Sequence, residues 1–231
     1  MFTTTRRDIH AALERDPAAR SRLEIALCYP GFWAVCGYRL SHRLWQAHFK
    51  MLARLFSTWL RFSTGIEIHP AAEIGPGLFI DHGAGVVIGE TTKIGENATL
   101  YQGVTLGGTN TKHGKRHPTL GDCVVVGAGA KVLGAITIGD CSRIGANAVV
   151  VKDVPAGSVV VGVPGEIIAH GRSKTKAPNL AHGQMPDVLG EDVVELIKRV
   201  EKIEQRLGEQ HQSPYTSEDG VWSEGENKDK D

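Results

Sequence analysis

The sequence predicts an α+β protein: an N-terminal α-helical region over 1–65, a parallel β-helix of hexapeptide repeats over 66–171, then a C-terminal helix and tail. Three observations predict it. From Ile66 onward, aliphatic residues recur every six positions. Glycine often follows the aliphatic, and 28 glycines against only 6% aromatics suit repeated tight turns. Before Ile66, apolar residues instead recur at three- and four-residue spacing, the period of a helix.

In the helical region, Thr5 is suited to cap a first helix over 6–15, which Pro17 would end. A second stretch covers 20–29, with Leu23, Ala26 and Leu27 on one side, and Pro30-Gly31 breaks it. Two further helices follow over 32–46 and 51–62. Residues 1–66 carry ten Lys and Arg against four Asp and Glu, read as a solvated basic face. The whole chain is balanced, 26 cations against 26 anions, so no nucleic-acid or membrane partner is expected. No secretory signal and no uncharged apolar stretch long enough to span a bilayer is visible, so a cytoplasmic location is expected.

The repeat runs Ile68, Ile74, Ile80, Val86, shifts by two, and resumes Ile88, Ile94, Leu100, Leu106. After a longer gap come Leu120, Val126, Val132, Ile138, Ile144 and Val150. Neither helix nor ordinary strand has a period of six. Three hexapeptides forming one triangular coil do, with the aliphatic pointing inward and small residues at the corners. About five coils fit before Ile168. Cys123 and Cys141 are one coil apart and should stack as thiols; with Cys28 and Cys36 they form no CxxC pair.

The longer gap, 107–119, reads as a loop extruded from the solenoid, rich in glycine, cations and histidine. Residues 172–208 read as a linker and a C-terminal helix. Its Leu189, Val193, Leu196, Val200, Ile203 and Leu207 alternate four and three apart, which suits either a three-stranded coiled coil or packing on the parent subunit. The polar tail 209–231 is expected to be disordered.

Specific motifs then appear: Gly65-Ile66-Glu67-Ile68-His69-Pro70, Asp81-His82, the run from Gln102 through Gly107-Gly108-Thr109, Arg116-His117-Pro118, and Gly127-Ala128-Gly129-Ala130-Lys131. In this order and spacing they resemble the serine O-acetyltransferase family, in its short form, over roughly residues 10–170. The resemblance implies a left-handed β-helix; handedness comes from that likeness alone, since general chirality favours the right-handed crossover. It implies acetyl transfer from acetyl-CoA to the hydroxyl of L-serine, giving O-acetyl-L-serine.

A hydroxyl is a weak nucleophile and needs a positioned base. The likeness assigns that role to His82, and Glu67 stands where longer family members carry the aspartate that orients it. Asp16 and Asp81 are implied ligands of the serine ammonium. Arg116 suits the serine carboxylate and His117 the hydroxyl or developing oxyanion. For CoA, lying between neighbouring subunits, Gly107, Gly108 and Thr109 offer close backbone approach. Ala128 and Ala146, one coil apart, offer amides to the pantetheine arm, and Lys131 or Lys152 charge to phosphates. No metal is implied.

The likeness further implies inhibition by L-cysteine and a homotrimer, with a hexamer as the alternative because longer members use extra N-terminal helices to join trimers. Family partners include O-acetylserine sulfhydrylase, which captures a C-terminal isoleucine; this chain ends Asn227-Lys228-Asp229-Lys230-Asp231, which counts against that complex. Three rival readings remain. A hexapeptide acetyltransferase for a sugar or xenobiotic hydroxyl would not need both Arg116 and Asp81. A zinc hydratase on this fold needs three converging histidines, and position 122 is Asp. A non-catalytic scaffold would display the loop without turnover.

Overall fold

The computed structural model describes residues 2–170, 178, 180, 194, 196–203, 215–218 and 221–224. The chain divides into two compact units, Met1–Gln184 and Met185–Asp231. In the first, four helices precede a triangular parallel β-prism: α1 (Phe2–Arg15), α2 (Arg22–Cys28), α3 (Pro30–Gln46) and α4 (Lys50–Thr64).

Helix α1 begins before Thr5, which therefore lies inside it rather than capping it. Packing through the buried Ala11, Ala12 and Asp8 carries the helix across the β-branched threonines. Ser21 caps α2 by accepting from the Glu24 amide, and Pro30 opens α3 at a position where its missing N–H costs nothing. Gly65, at φ 71°, ends α4 in the left-handed conformation and hands the chain to the first strand.

The first face of the prism stacks β1 (Glu67–Ile68), β4 (Val87–Ile88), β7 (Thr105–Gly107), β10 (Lys131–Leu133) and β13 (Val149–Val150). The second stacks β2 (Glu73–Ile74), β5 (Lys93–Ile94), β8 (Thr119–Leu120) and β11 (Thr137–Ile138). The third stacks β3 (Phe79–Ile80), β6 (Thr99–Leu100), β9 (Val125–Val126), β12 (Arg143–Ile144) and β14 (Ser158–Val161). All these pairings are parallel. Ile68, Ile88, Leu106, Val132 and Val150 line up inward on the first face, each at most 4% exposed, as the six-residue period predicts. This stack is the main source of stability, roughly 1.5–3 kcal/mol per fully buried aliphatic.

Register explains both irregularities in the repeat. Glu67 pairs with Val87, so the first coil is two residues longer than the standard eighteen. Thr105 pairs with Lys131, so the third is eight residues longer. The two extra residues sit in the corner 81–86, and the eight are extruded between β7 and β8. Two of the three corners turn through left-handed residues; where these are not glycine they are His82, Asn97, Cys123, Cys141 and Asn147, at φ 55–57°. Cys123 and Cys141 stack in neighbouring coils and remain thiols, as their spacing predicts. Many glycines after the aliphatic serve a different need: a Cβ on Gly127 would lie 2.7 Å from the Ala146 amide nitrogen of the next coil.

The helices close the first coil. Outward carbonyls there receive donors from side chains: Ile68 from Ser57, Ala72 from the Tyr38 phenol, Ile74 and Gly75 from Arg39, and Gly77 from Arg15. Arg39 is itself held by the buried Asp8, which also accepts from the Gly77 amide. Leaving such carbonyls buried and unpaired would cost about 1–3 kcal/mol each. At the far end β15 (Glu166–His170) folds back antiparallel on β14, so the repeat gives way to a hairpin before Gly171.

In the second unit, residues 196–203 are helical and Leu196, Val200 and Ile203 are exposed on them; Leu189, Val193 and Leu207 of the predicted seam lie outside the described residues. Strands β16 (Tyr215–Glu218) and β17 (Val221–Glu224) pair antiparallel.

Candidate active site

The chemistry-bearing residues gather on two edges of the prism, one on each side of the first face. The edge between the third and first faces is acidic. Here the lengthened corner puts His82 at φ 57° with its side chain 75% exposed, pointing out of the prism. Asp81 precedes it, mostly buried, with Oδ1 3.8 Å from His82 Nε2. Asp16, at the α1–α2 turn, returns to this corner as expected. Burial pushes the Asp81 carboxyl up; His82 and its amide pull it down, and the charge of Asp16 pushes it up again. Tyr101, from the next coil, is raised by burial and then by both carboxylates. Asp16 accepts from the Ala18 amide at 2.8 Å and from the Tyr29 phenol at 2.5 Å.

Glu67 lies beside the same corner. Its amide donates to Val86 at the end of the His82 corner, but its carboxylate pairs with Arg61 at 2.9 Å, and no hydrogen bond or ion pair joins it to His82. The basic guanidinium on the last turn of α4 captures the longer carboxylate.

The edge between the first and second faces is basic. The extruded loop returns here with Arg116 and His117. Their amides both donate to Thr91 Oγ1, at 3.0 and 3.1 Å, which pins the loop to the corner. The Thr91 amide donates to His117 Nδ1 at 3.2 Å, so the neutral ring carries its proton on Nε2. Burial, then the Arg116 charge, lowers the His117 pKa against the pull of Glu90, so neutrality is favoured. Arg116 forms an ion pair with Glu90, and that hydrogen bond lowers the Glu90 carboxyl from its ordinary value against the opposing push of burial. Glu90 escaped the reading of the sequence. No local motif marks it, and only the folded loop brings Arg116 back across the corner to meet it.

The proposed CoA residues divide between the edges. Gly107 ends β7, Gly108 lies against Arg116 and His117, and Thr109 faces Gly134, all at the basic edge. Lys152, exposed, follows β13 on the same edge. Ala128 and Ala146 lie one coil apart below the acidic edge, where the Asn147 amide donates to the Ala128 carbonyl. The Lys131 ammonium donates to the carbonyls of Gly103 and Gly129, both at 2.6 Å, which secures the corner.

One edge thus offers an imidazole and two carboxylates, the other a guanidinium and an Nε2–H donor. Together they could bind a zwitterion and move a proton; within one chain they stand on opposite sides of a face.

The bacterial transferase hexapeptide (six repeats) family matches residues 117–152. A serine acetyltransferase of Mycobacterium tuberculosis is 51% identical over 204 residues, 88% of each chain. A serine acetyltransferase of Neisseria gonorrhoeae, solved in complex with serine, is 42% identical at a TM-score of 0.71, covering 73% of this chain and 69% of that one. One from Brucella abortus, solved in complex with coenzyme A, is 42% identical at a TM-score of 0.72, covering 73% and 68%.

Proposed function

The chain belongs to the serine acetyltransferase family, and from that membership we propose how its two edges divide the work of acetyl transfer. The enzyme is an acyltransferase that moves the acetyl group of acetyl-CoA to the hydroxyl of L-serine, releasing O-acetyl-L-serine and CoA, the step that opens cysteine formation from serine. The observation that carries the division of labour is the pair of oppositely charged edges flanking the first face.

Asp16 and Asp81 take the serine ammonium, and Arg116 takes its carboxylate, exchanging or sharing Glu90. His82 removes the hydroxyl proton as the oxygen attacks the thioester carbonyl. The Nε2–H of His117 is the right donor for the oxygen that gains charge. Collapse of the tetrahedral intermediate expels the CoA sulfur, and His82 returns the proton to it. The imidazolium that forms in between calls for a carboxylate; Glu67 serves once it exchanges Arg61 for the ring.

Because one chain separates the edges, the site is completed by a neighbouring copy in a homotrimer, the acidic edge of one meeting the basic edge of the next, with CoA along the seam. Met51, Leu55, Trp59 and Phe62 leave an apolar strip exposed on α4, a surface suited to self-association, and a hexamer is the alternative assembly. L-Cysteine, which differs from serine by sulfur for oxygen, fits the same clamp and acts as an inhibitor. No described helix is long and apolar enough to cross a membrane. From its substrates, acetyl-CoA and L-serine, we place the enzyme in the cytoplasm.

Thiol release from acetyl-CoA is the test. It should require L-serine, fall in His82→Ala, and not be restored by sugars or other alcohols. Turnover on a sugar in place of serine would favour the rival acyl acceptor.

A further inference from the structure

The ammonium clamp poses an electrostatic problem, since two carboxylates side by side repel one another until a cation arrives. Asp16 and Asp81 come from distant parts of the chain, and their spacing must be set before serine binds if the clamp is to be preorganised. We propose that Tyr29 is the positioning residue that sets it, a role resting on the reading of Asp16 and Asp81 as the serine ammonium site.

Three features point there. The Tyr29 phenol donates to Asp16 Oδ2 at 2.5 Å, from thirteen residues away, although the Ala18 amide already satisfies the turn through Oδ1. Tyr29 precedes Pro30 and is held extended at φ −98° and ψ 104°, a restriction that proline imposes on its neighbour, so the aim of the ring is fixed by the backbone. The ring also packs on a small separate core of Ala11, Ala12, Ile25 and Phe79. Ala11 and Ala12 belong to the helix that delivers Asp16, and Phe79 to the strand that delivers Asp81. One aromatic side chain thus references both carboxylates to a common support. Burial first, and then the bond to Asp16, keeps the phenol protonated, so it stays a donor.

The test is steady-state kinetics of the full-length enzyme. In Tyr29→Phe the ring and its packing remain while the donor is lost. The serine KM should rise about tenfold, as expected for a hydrogen bond to a charged group, with the acetyl-CoA KM changed by less than about twofold. Asp16→Asn should raise the serine KM at least as much, and the double variant should be no worse than Asp16→Asn alone, because the phenol acts only through that carboxylate. If Asp16→Asn weakens serine binding and Tyr29→Phe does not, the positioning role is wrong and the clamp stands. If Asp16→Asn itself leaves the serine KM unchanged, the clamp falls and Tyr29 with it. Additive effects in the double variant, or an equal rise in both KM values in Tyr29→Phe, also overturn the proposal.

Discussion

The two edges of the first face are built by opposite means. The acidic edge arises from a two-residue lengthening of a corner, a left-handed turn at His82, and a carboxylate returned from the helices. The basic edge arises from an eight-residue extrusion whose end is pinned to Thr91. Elsewhere the repeat is regular and its inward aliphatics serve packing. His82 and Arg116 both enter where the period fails: each departure frees the backbone from its ladder for a few residues, and those residues aim side chains outward.

The comparison is most easily broken at its centre. His82→Ala should lower turnover by roughly 10²–10⁴-fold, the usual worth of a general base, read as thiol release at saturating serine. Co-assembling His82→Ala chains with Arg116→Ala chains should restore activity well above either parent, since some seams would then pair two intact edges; no recovery would mean that each site is built within one chain. Arg116→Ala alone should raise the serine KM about ten- to a hundredfold with a smaller loss of kcat; an unchanged serine KM would remove Arg116 from the clamp. Glu90→Gln should shift the serine KM only a few-fold, because the amide still accepts from the guanidinium and solvent at this half-buried pair screens the lost charge.

Acid should weaken the basic edge through the fold itself. His69, at the corner beneath Glu90 and His117, is lowered to about 4 by burial and then by Arg54, and its Nδ1 accepts from the Ala71 amide. The unfolded chain binds that proton near ~6.5. Between those values the unfolded state holds more protons, so stability should decline as pH falls from about 6.5 towards 4 and be flat in this respect above that window. Thermal melts across the range check it, and His69→Gln should flatten the slope.

The solenoid was legible because its inward aliphatics at Ile68, Leu106 and Val132 obey one rule set by coil geometry. The return of Asp16 was legible only through family likeness. Glu90, Tyr29 and Tyr101 were not legible, since each meets partners 13 to 85 residues distant, and no local pattern records such a meeting. The contacts of Lys131 were not legible for the same reason: no local pattern records that its ammonium meets the carbonyls of Gly103 and Gly129. Nor does the position of Glu67 in the sequence announce its ion pair with Arg61.

A stack of parallel coils has, in principle, no natural length: either end could template the strand edge of another molecule and grow into a filament. Here Ser57, Tyr38, Arg39 and Arg15 occupy the open carbonyls at one end, and the antiparallel return of β15 blocks the other. Neither end of the stack therefore offers a bare ladder on which a further coil could be laid.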